Sequence, residues 1–243
     1  MKKIINSILI LVVIVAFGKV AYKGYQYYMD KKEYSRIQIY NPMIIENIPN
    51  NGVKNEDNYE EKSSNNEEVL VNINNDYKFW LNISNSNIDY PVVQGIDNDF
   101  YLNHSFDKEK SISGTLFIDY QNNIDSDKNI VIYGHHMKNN TMFNNLNFFK
   151  KEEFFNNNNI KIVKDGKTYE YTVFSVYVLH ENEVSIDMNF NNDTDYLSYI
   201  NELSNKSYFK KDIEFEPSKK MITLVTCSYE YDGARTIVHA IKK

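Results

Sequence analysis

Cysteine is almost missing from this 243-residue chain, which carries only Cys227. No intramolecular disulfide can form, so the fold must be held by its core. Glycine (8) and proline (4) are scarce, which excludes collagen-like and elastic repeats. Arginine is rarer still: Arg36 and Arg235 are two among 27 basic residues. Positive charge is in deficit, with 27 Lys+Arg against 33 Asp+Glu and a net charge of −6. The basic footprint of a nucleic-acid binder is therefore lacking, and no nucleic-acid partner is expected. Long apolar runs are confined to one place, which excludes a multi-span membrane protein. The chain is rich in aromatics, 20 Tyr and 14 Phe, with 42% hydrophobic and 25% charged residues. That is the composition of an ordinary globular domain with material for a large core.

The apolar run lies at the N-terminus. Lys2 and Lys3 precede Ile4–Phe17, which is broken only by Asn6 and Ser7. Extended through Tyr22, the segment 4–22 approaches the ~20 residues that cross a bilayer as a helix. Tyr22, Tyr25, Tyr27 and Tyr28 come next as an interfacial aromatic belt. The rival is a cleaved signal peptide, which needs small residues in an A-x-A-like pattern. Ala16-Phe17-Gly18 and Val20-Ala21-Tyr22 are poor matches to it, so residues 1–28 are expected to be an uncleaved signal-anchor. The positive-inside rule puts Lys2 and Lys3 in the cytoplasm and the rest outside the cell. Residues 1–28 hold four lysines and no acid, leaving −10 on the exported part. That part should stay in solution rather than lie on an anionic membrane.

Residues 29–75 are expected to be stalk and linker, and 76–243 a folded domain. The stalk, 23–49, predicts a helix ending near Pro42 and Pro49. The stretch 50–68, NNGVKNEDNYEEKSSNNEE, has almost no apolar side chain to offset chain entropy and predicts a flexible linker. Beyond it, strands are expected at Phe79–Ile83, Ile88–Val93, Gly114–Asp119, Asn129–Gly134, Ile160–Val163, Lys167–Leu179, Lys220–Thr226 and Arg235–Ile241. Asp165-Gly166 is a strong hairpin signal. Helical turns are predicted at Asp97–Leu102 and Thr141–Phe149. An amphipathic helix is predicted over Asp193–Leu203, with Tyr196, Leu197, Ile200 and Leu203 on one face. Many short strands and few helices suggest a β-barrel or sandwich.

The lone cysteine ends a strand, Met221–Thr226, and precedes a polar turn. It reads either as a buried small hydrophobe or as a nucleophile. A nucleophilic thiol needs a base or an electropositive neighbour. Five histidines are present: His104, His135, His136, His180 and His239. His135 and His136 come directly after a strand and lack the carboxylate or cysteine neighbours of a metal site. Arg235, eight residues after Cys227, has a fork suited to a carboxylate or a developing oxyanion. Alternatively it forms a surface salt bridge with Glu230 or Asp232.

Thr223-Leu224-Val225-Thr226-Cys227, Arg235 on the next strand and Tyr133-Gly134-His135 upstream together resemble the signature of sortases, membrane-anchored cysteine transpeptidases of Gram-positive bacteria. Asn87–Gly95, Asp97-Asn98 to Leu102, Gly134-His135-His136-Met137, Asn140–Phe143 and the helix at 193–203 resemble class B in particular. The resemblance covers about residues 76–243. It implies a closed β-barrel of about eight strands with peripheral helices. It further implies that Cys227 attacks the carbonyl after the threonine of a sorting motif in exported proteins, forming a thioacyl enzyme. His135, the histidine directly after the glycine, would be general acid and base, and Arg235 would stabilise the oxyanion. Asn98, Leu102 and Ile186 match groove-lining positions. The acceptor would be a peptidoglycan precursor amine or, alternatively, a pilin subunit. The resemblance implies no metal or organic cofactor and a monomer. Val225 departs from the serine common two residues before the cysteine. A wall-peptide cysteine peptidase and a non-enzymatic surface protein are the alternatives.

Overall fold

The computed structural model describes residues 2–43 and 56–243. Eight strands among them close into one barrel: β1 (Tyr77–Ile83), β2 (Asp89–Val93), β3 (Leu116–Ile118), β4 (Asn129–Tyr133), β5 (Asn159–Lys164), β6 (Lys167–His180), β7 (Met221–Cys227) and β8 (Ala234–Lys242). Their spatial order is β1-β2-β3-β4-β7-β8-β6-β5, with β5 returning to β1. Two neighbours, β2–β3 and β4–β7, run parallel; the other pairs are antiparallel. The strand expectations hold to within a few residues at each end, and the sandwich alternative falls away. The β5–β6 hairpin turns on Asp165 (φ 53°) and Gly166 (φ 71°), two successive left-handed residues as a tight primed turn requires.

Side chains alternate across the barrel wall. Phe79, Leu81 and Ile83 of β1, Ile222 and Leu224 of β7, and Val238 and Ala240 of β8 point into the main core. Tyr77 and Trp80 face out into a second cluster with Val93, Tyr101, Phe106 and Phe117. Tyr77 and Phe79, two apart, take opposite faces because the β1–β2 register slips between them. A third cluster lies outside β6, β7 and β8. There Tyr196, Ile200 and Leu203 of helix Asp193–Lys206 cover Phe174, Tyr177, Met221 and Ile237. That helix starts at Asp193 as expected and runs on to Lys206; its cap is Asn192, accepting from the Asp195 amide at 2.9 Å. Thr141–Phe149 is a 3-10 helix over Phe143–Lys150, and a short helix at Glu152–Asn157 was not anticipated.

The N-terminal helix, α1 (Lys2–Ile37), is continuous. It is long and apolar enough to cross a membrane, and its apolar window is not buried in the protein. Its last turns dock on the barrel. Asp30 accepts from the Ser113 amide at 3.0 Å, Tyr34 donates to the Gly114 carbonyl, Arg36 pairs with Asp107 at 2.6 Å, and Ile37 enters the second cluster. The linker expectation needs correction. Residues 50–55 lie outside the described residues, but Glu56–Ile73 forms a second helix, α2. Its anchors sit at its C-terminal end. Leu70 is fully buried, and Glu67 accepts from the Asp165 and Gly166 amides at 3.1 and 2.8 Å. A polar sequence is ordered here because one carboxylate satisfies the hairpin turn and one leucine fills the outer cluster.

Candidate active site

Parallel pairing of β4 with β7 brings Tyr133 opposite Val225, so both strands end at the same rim of the barrel. Gly134-His135-His136, just past β4, therefore lies beside Cys227 at the end of β7. The chain then turns and returns as β8, whose Arg235 lies directly opposite Cys227. Directly paired residues of an antiparallel pair project to the same face. By alternation that face belongs with Met221 and Ile237, outside the barrel, because the lumen is filled by the main core. The site is thus an outer cleft at the strand ends. It encloses about 380 Å³ and is lined by Leu102, Tyr133, His135, Glu181, Val184, Val225, Thr226, Cys227 and Arg235, among others.

Cys227 is part-exposed in this cleft. His135 is half-buried, and its Nε2 lies 2.7 Å from the Leu102 carbonyl. A carbonyl only accepts, so Nε2 carries a proton and Nδ1 is left for other partners. Gly134 is dictated by space: a Cβ there would strike Leu116 and come within 2.9 Å of Phe143. The loop beyond is tightly held. The Phe143 amide donates to the His135 carbonyl at 2.9 Å, and Met142 is buried at φ 53°, a left-handed conformation that a side chain other than glycine rarely takes. Thr226 Oγ1 donates to the Gly134 carbonyl at 2.7 Å, tying the residue before Cys227 to the residue before His135.

Arg235 binds Glu181 through Nη2 and the Ala234 carbonyl through Nη1 at 3.1 Å. Its partner is therefore neither Glu230 nor Asp232; Glu230 is held by Lys150 at 2.6 Å. Glu181 arrives because β6, which ends at His180, pairs with β8 on the side away from β7. Nothing in Glu181-Asn182-Glu183 marks the first glutamate, so this contact was not legible in the sequence.

The remaining predicted residues separate. Leu102 lines the cleft. Asn98 does not: its side-chain amide bridges the Asp119 carboxylate and the Tyr120 amide, each at 3.0 Å. Ile186 is also off the cleft wall, where Val184 from the same segment stands instead. His136 is buried and is not among the residues lining the cleft. His239 is a satisfied core histidine between Tyr177 Oη and Thr223 Oγ1, each at 2.8 Å, and burial pushes its pKa down to about 3. Among the described residues no group of three His, Cys, Asp or Glu side chains is placed to hold a metal ion.

Residues 81–243 match the Sortase domain family. The chain is 34% identical to Sortase B of Listeria monocytogenes over 70% of each chain. It is 31% identical to Sortase B of Staphylococcus aureus over 98% of this chain and 95% of that protein. Among solved structures, a mutant form of Clostridium perfringens sortase B superposes with a TM-score of 0.80 at 39% identity, covering 88% of this chain and 98% of that one.

Proposed function

We propose a cell-wall-anchoring role from one premise: the chain belongs to the sortase family and, within it, to class B. It is a cysteine transpeptidase. In our reading the Cys227 thiolate attacks the carbonyl carbon after the threonine of a C-terminal sorting motif. The thiol proton passes to His135, which delivers it to the leaving amine as the peptide bond breaks. A thioacyl enzyme remains. A peptidoglycan precursor amine then attacks it, giving up its proton to His135 and releasing the thiolate. Arg235 faces the oxyanion formed in both tetrahedral steps. Leu102 lines the peptide groove. α1 anchors the enzyme through residues 4–22 with the N-terminus in the cytoplasm and the barrel outside.

The observation that carries this reading is the pairing of Cys227 with Arg235 on one face, beside the loop that bears His135. A wall-peptide peptidase would place its thiol at a helix start, whereas this one ends a strand. The test incubates the enzyme with labelled sorting peptides and a panel of amine acceptors and identifies products by mass. We expect an amide product with one acceptor, a thioacyl adduct on Cys227 and complete loss of both with Cys227→Ala. Cleavage by Cys227→Ala would remove the covalent route. Hydrolysis without transfer to any amine would favour the peptidase.

A further inference from the structure

The second histidine of the pair has a different set of partners from the first. His136 Nδ1 lies 2.7 Å from the backbone carbonyl of Cys227 itself. That carbonyl can only accept, so Nδ1 carries the ring proton. Nε2 is then the acceptor, and Asn147 Nδ2 donates to it at 3.0 Å. The other end of the Asn147 amide, Oδ1, faces Thr236 Oγ1 at 3.5 Å, and Thr236 is the residue after Arg235. The His136 carbonyl accepts from Tyr229 Oη at 2.9 Å, and the two rings pack with centroids 4.6 Å apart. His136 and Thr236 are buried, and Asn147 is half-buried. One chain of polar contacts thus joins three segments: the residue after His135, the backbone of Cys227 and the residue after Arg235.

Neither His136 nor Asn147 is part of the cleft lining. Both ring nitrogens of His136 are also occupied, which leaves none for proton transfer. We propose that His136 and Asn147 are positioning residues for this transpeptidation: they hold the Cys227 backbone and the start of β8 so that thiol, imidazole and guanidinium meet one carbonyl carbon. The inference rests on the mechanism proposed above. Its chemical content is a fixed neutral tautomer, Nδ1–H toward Cys227 and Nε2 toward Asn147. Burial holds the His136 pKa below its ordinary value, which keeps the ring neutral, and the two hydrogen bonds then select the tautomer. Displacing a reacting group by about 1 Å can cost on the order of 10²-fold in rate, so a fixed nucleophile backbone matters for kcat more than for peptide affinity.

The test measures thioacyl formation, KM, melting temperature and the pH profile in the full chain with three substitutions. His136→Asn keeps an N–H near the position of Nδ1, and we expect kcat to stay within about threefold. His136→Leu keeps the bulk and removes both hydrogen bonds, and we expect kcat to fall about tenfold or more, with KM within twofold and the pH limits unmoved. Asn147→Ala should lower kcat in the same direction, and combining it with His136→Leu should add little, as for two links of one chain. If His136→Leu fails to fold, Asn147→Ala carries the test. A folded His136→Leu or Asn147→Ala enzyme with kcat within twofold of the parent overturns the proposal. So does loss of a pH limit in His136→Asn, which would make His136 a proton-transfer group. These results are read beside Cys227→Ala. Activity in that variant defeats the underlying mechanism, whereas an inactive Cys227→Ala with unaffected His136 variants defeats only the positioning role.

Discussion

Arg235 is where charge and shape can be told apart. Its pair with Glu181 is part-exposed, with side chains 28% and 48% accessible. An ion pair of that exposure contributes about 0–1 kcal/mol. A lysine would preserve the positive charge, so a residue that only pairs with Glu181 would tolerate Arg235→Lys. A planar fork that must reach an oxyanion while one nitrogen is held by Glu181 cannot be copied by an ammonium. Arg235→Lys should therefore leave melting temperature nearly unchanged and lower kcat/KM for thioacyl formation by about 10²–10³, the usual cost of one oxyanion donor. Glu181→Gln should cost only several-fold, because Arg235 keeps its fork and its bond to the Ala234 carbonyl. Equal, mild losses in the two variants would reduce Arg235 to a surface ion-pair partner. The rarity of the residue types made this site visible beforehand. A single cysteine and a second arginine eight residues on stand out in a lysine-rich chain, whereas Glu181 and Asn147 are ordinary letters whose role comes only from strand pairing. Gly134→Ala belongs to the same scale. The added methyl meets Leu116 and Phe143 in the closed core, so the loop bearing His135 must shift. We expect a loss of kcat together with a lowered melting temperature in thermal scans.

At the scale of elements, the strands were readable because period-two burial and the Asp165-Gly166 turn are local signals. The ordered polar helix Glu56–Ile73 was not, because its anchors are a hairpin turn about a hundred residues away and an outer cluster that exists only after the barrel closes. The docking of α1 likewise depends on distant partners. Glu33 is half-buried in that interface, and one of its carboxylate oxygens has no hydrogen bond. Burial first, and the Asp107 carboxylate second, push its pKa up to about 8, while Ser105 opposes the shift. Asp107 is in turn held by Arg36. With a folded pKa above the ordinary value of 4.5, the folded state keeps a proton that the unfolded state has lost between about pH 4.5 and 8. Stability from this group is therefore complete below about pH 4.5 and lost as pH rises through about 8. The loss is on the order of a few kcal/mol at most, and it cannot exceed the cost of undocking α1, since undocking rehydrates the carboxylate. Glu33→Gln should flatten this dependence and raise the unfolding free energy at pH 8.5 relative to the parent, as urea titrations at pH 5 and 8.5 would measure. An identical pH dependence in the two proteins would show that Glu33 stays ionised in the fold.

For the whole molecule, the division expected from the sequence placed anchor, linker and catalytic domain end to end, and the structure redistributes that division along α1. From Ile4 to Tyr25 every side chain of α1 is exposed; the first buried one is Asp30, then Tyr34 and Ile37. One continuous helix thus has an exposed apolar half and a docked half, in which Tyr34 packs into the main core and Ile37 joins the second cluster beside Trp80, Phe106 and Phe117. Hydropathy shows the first half directly. The second is hidden, because Asp30 and Glu33 are the residues a sequence reader assigns to water. A chain beginning at residue 29 should therefore be soluble and monomeric, and should process short peptides with kcat/KM within about threefold of the full-length enzyme in detergent. Of the described side chains it loses, those from Ile4 to Tyr25 are exposed, and Tyr27 packs on the main core while only partly buried. A chain beginning at residue 44 loses Asp30, Tyr34 and Ile37 as well. It takes the Asp30 acceptor from the Ser113 amide and leaves Trp80 and Phe117 with part of their cover gone. Burying an isoleucine and a tyrosine contributes about 1.5–3 kcal/mol each, so this shorter chain should melt roughly 10 °C or more below the first for a domain of this size. Thermal scans of the two proteins, with peptide turnover measured below both transitions, decide the matter. Equal melting temperatures would mean that the docked half of α1 contributes nothing to the barrel, and dependence of peptide turnover on residues 1–28 would make the anchor part of the catalytic machinery.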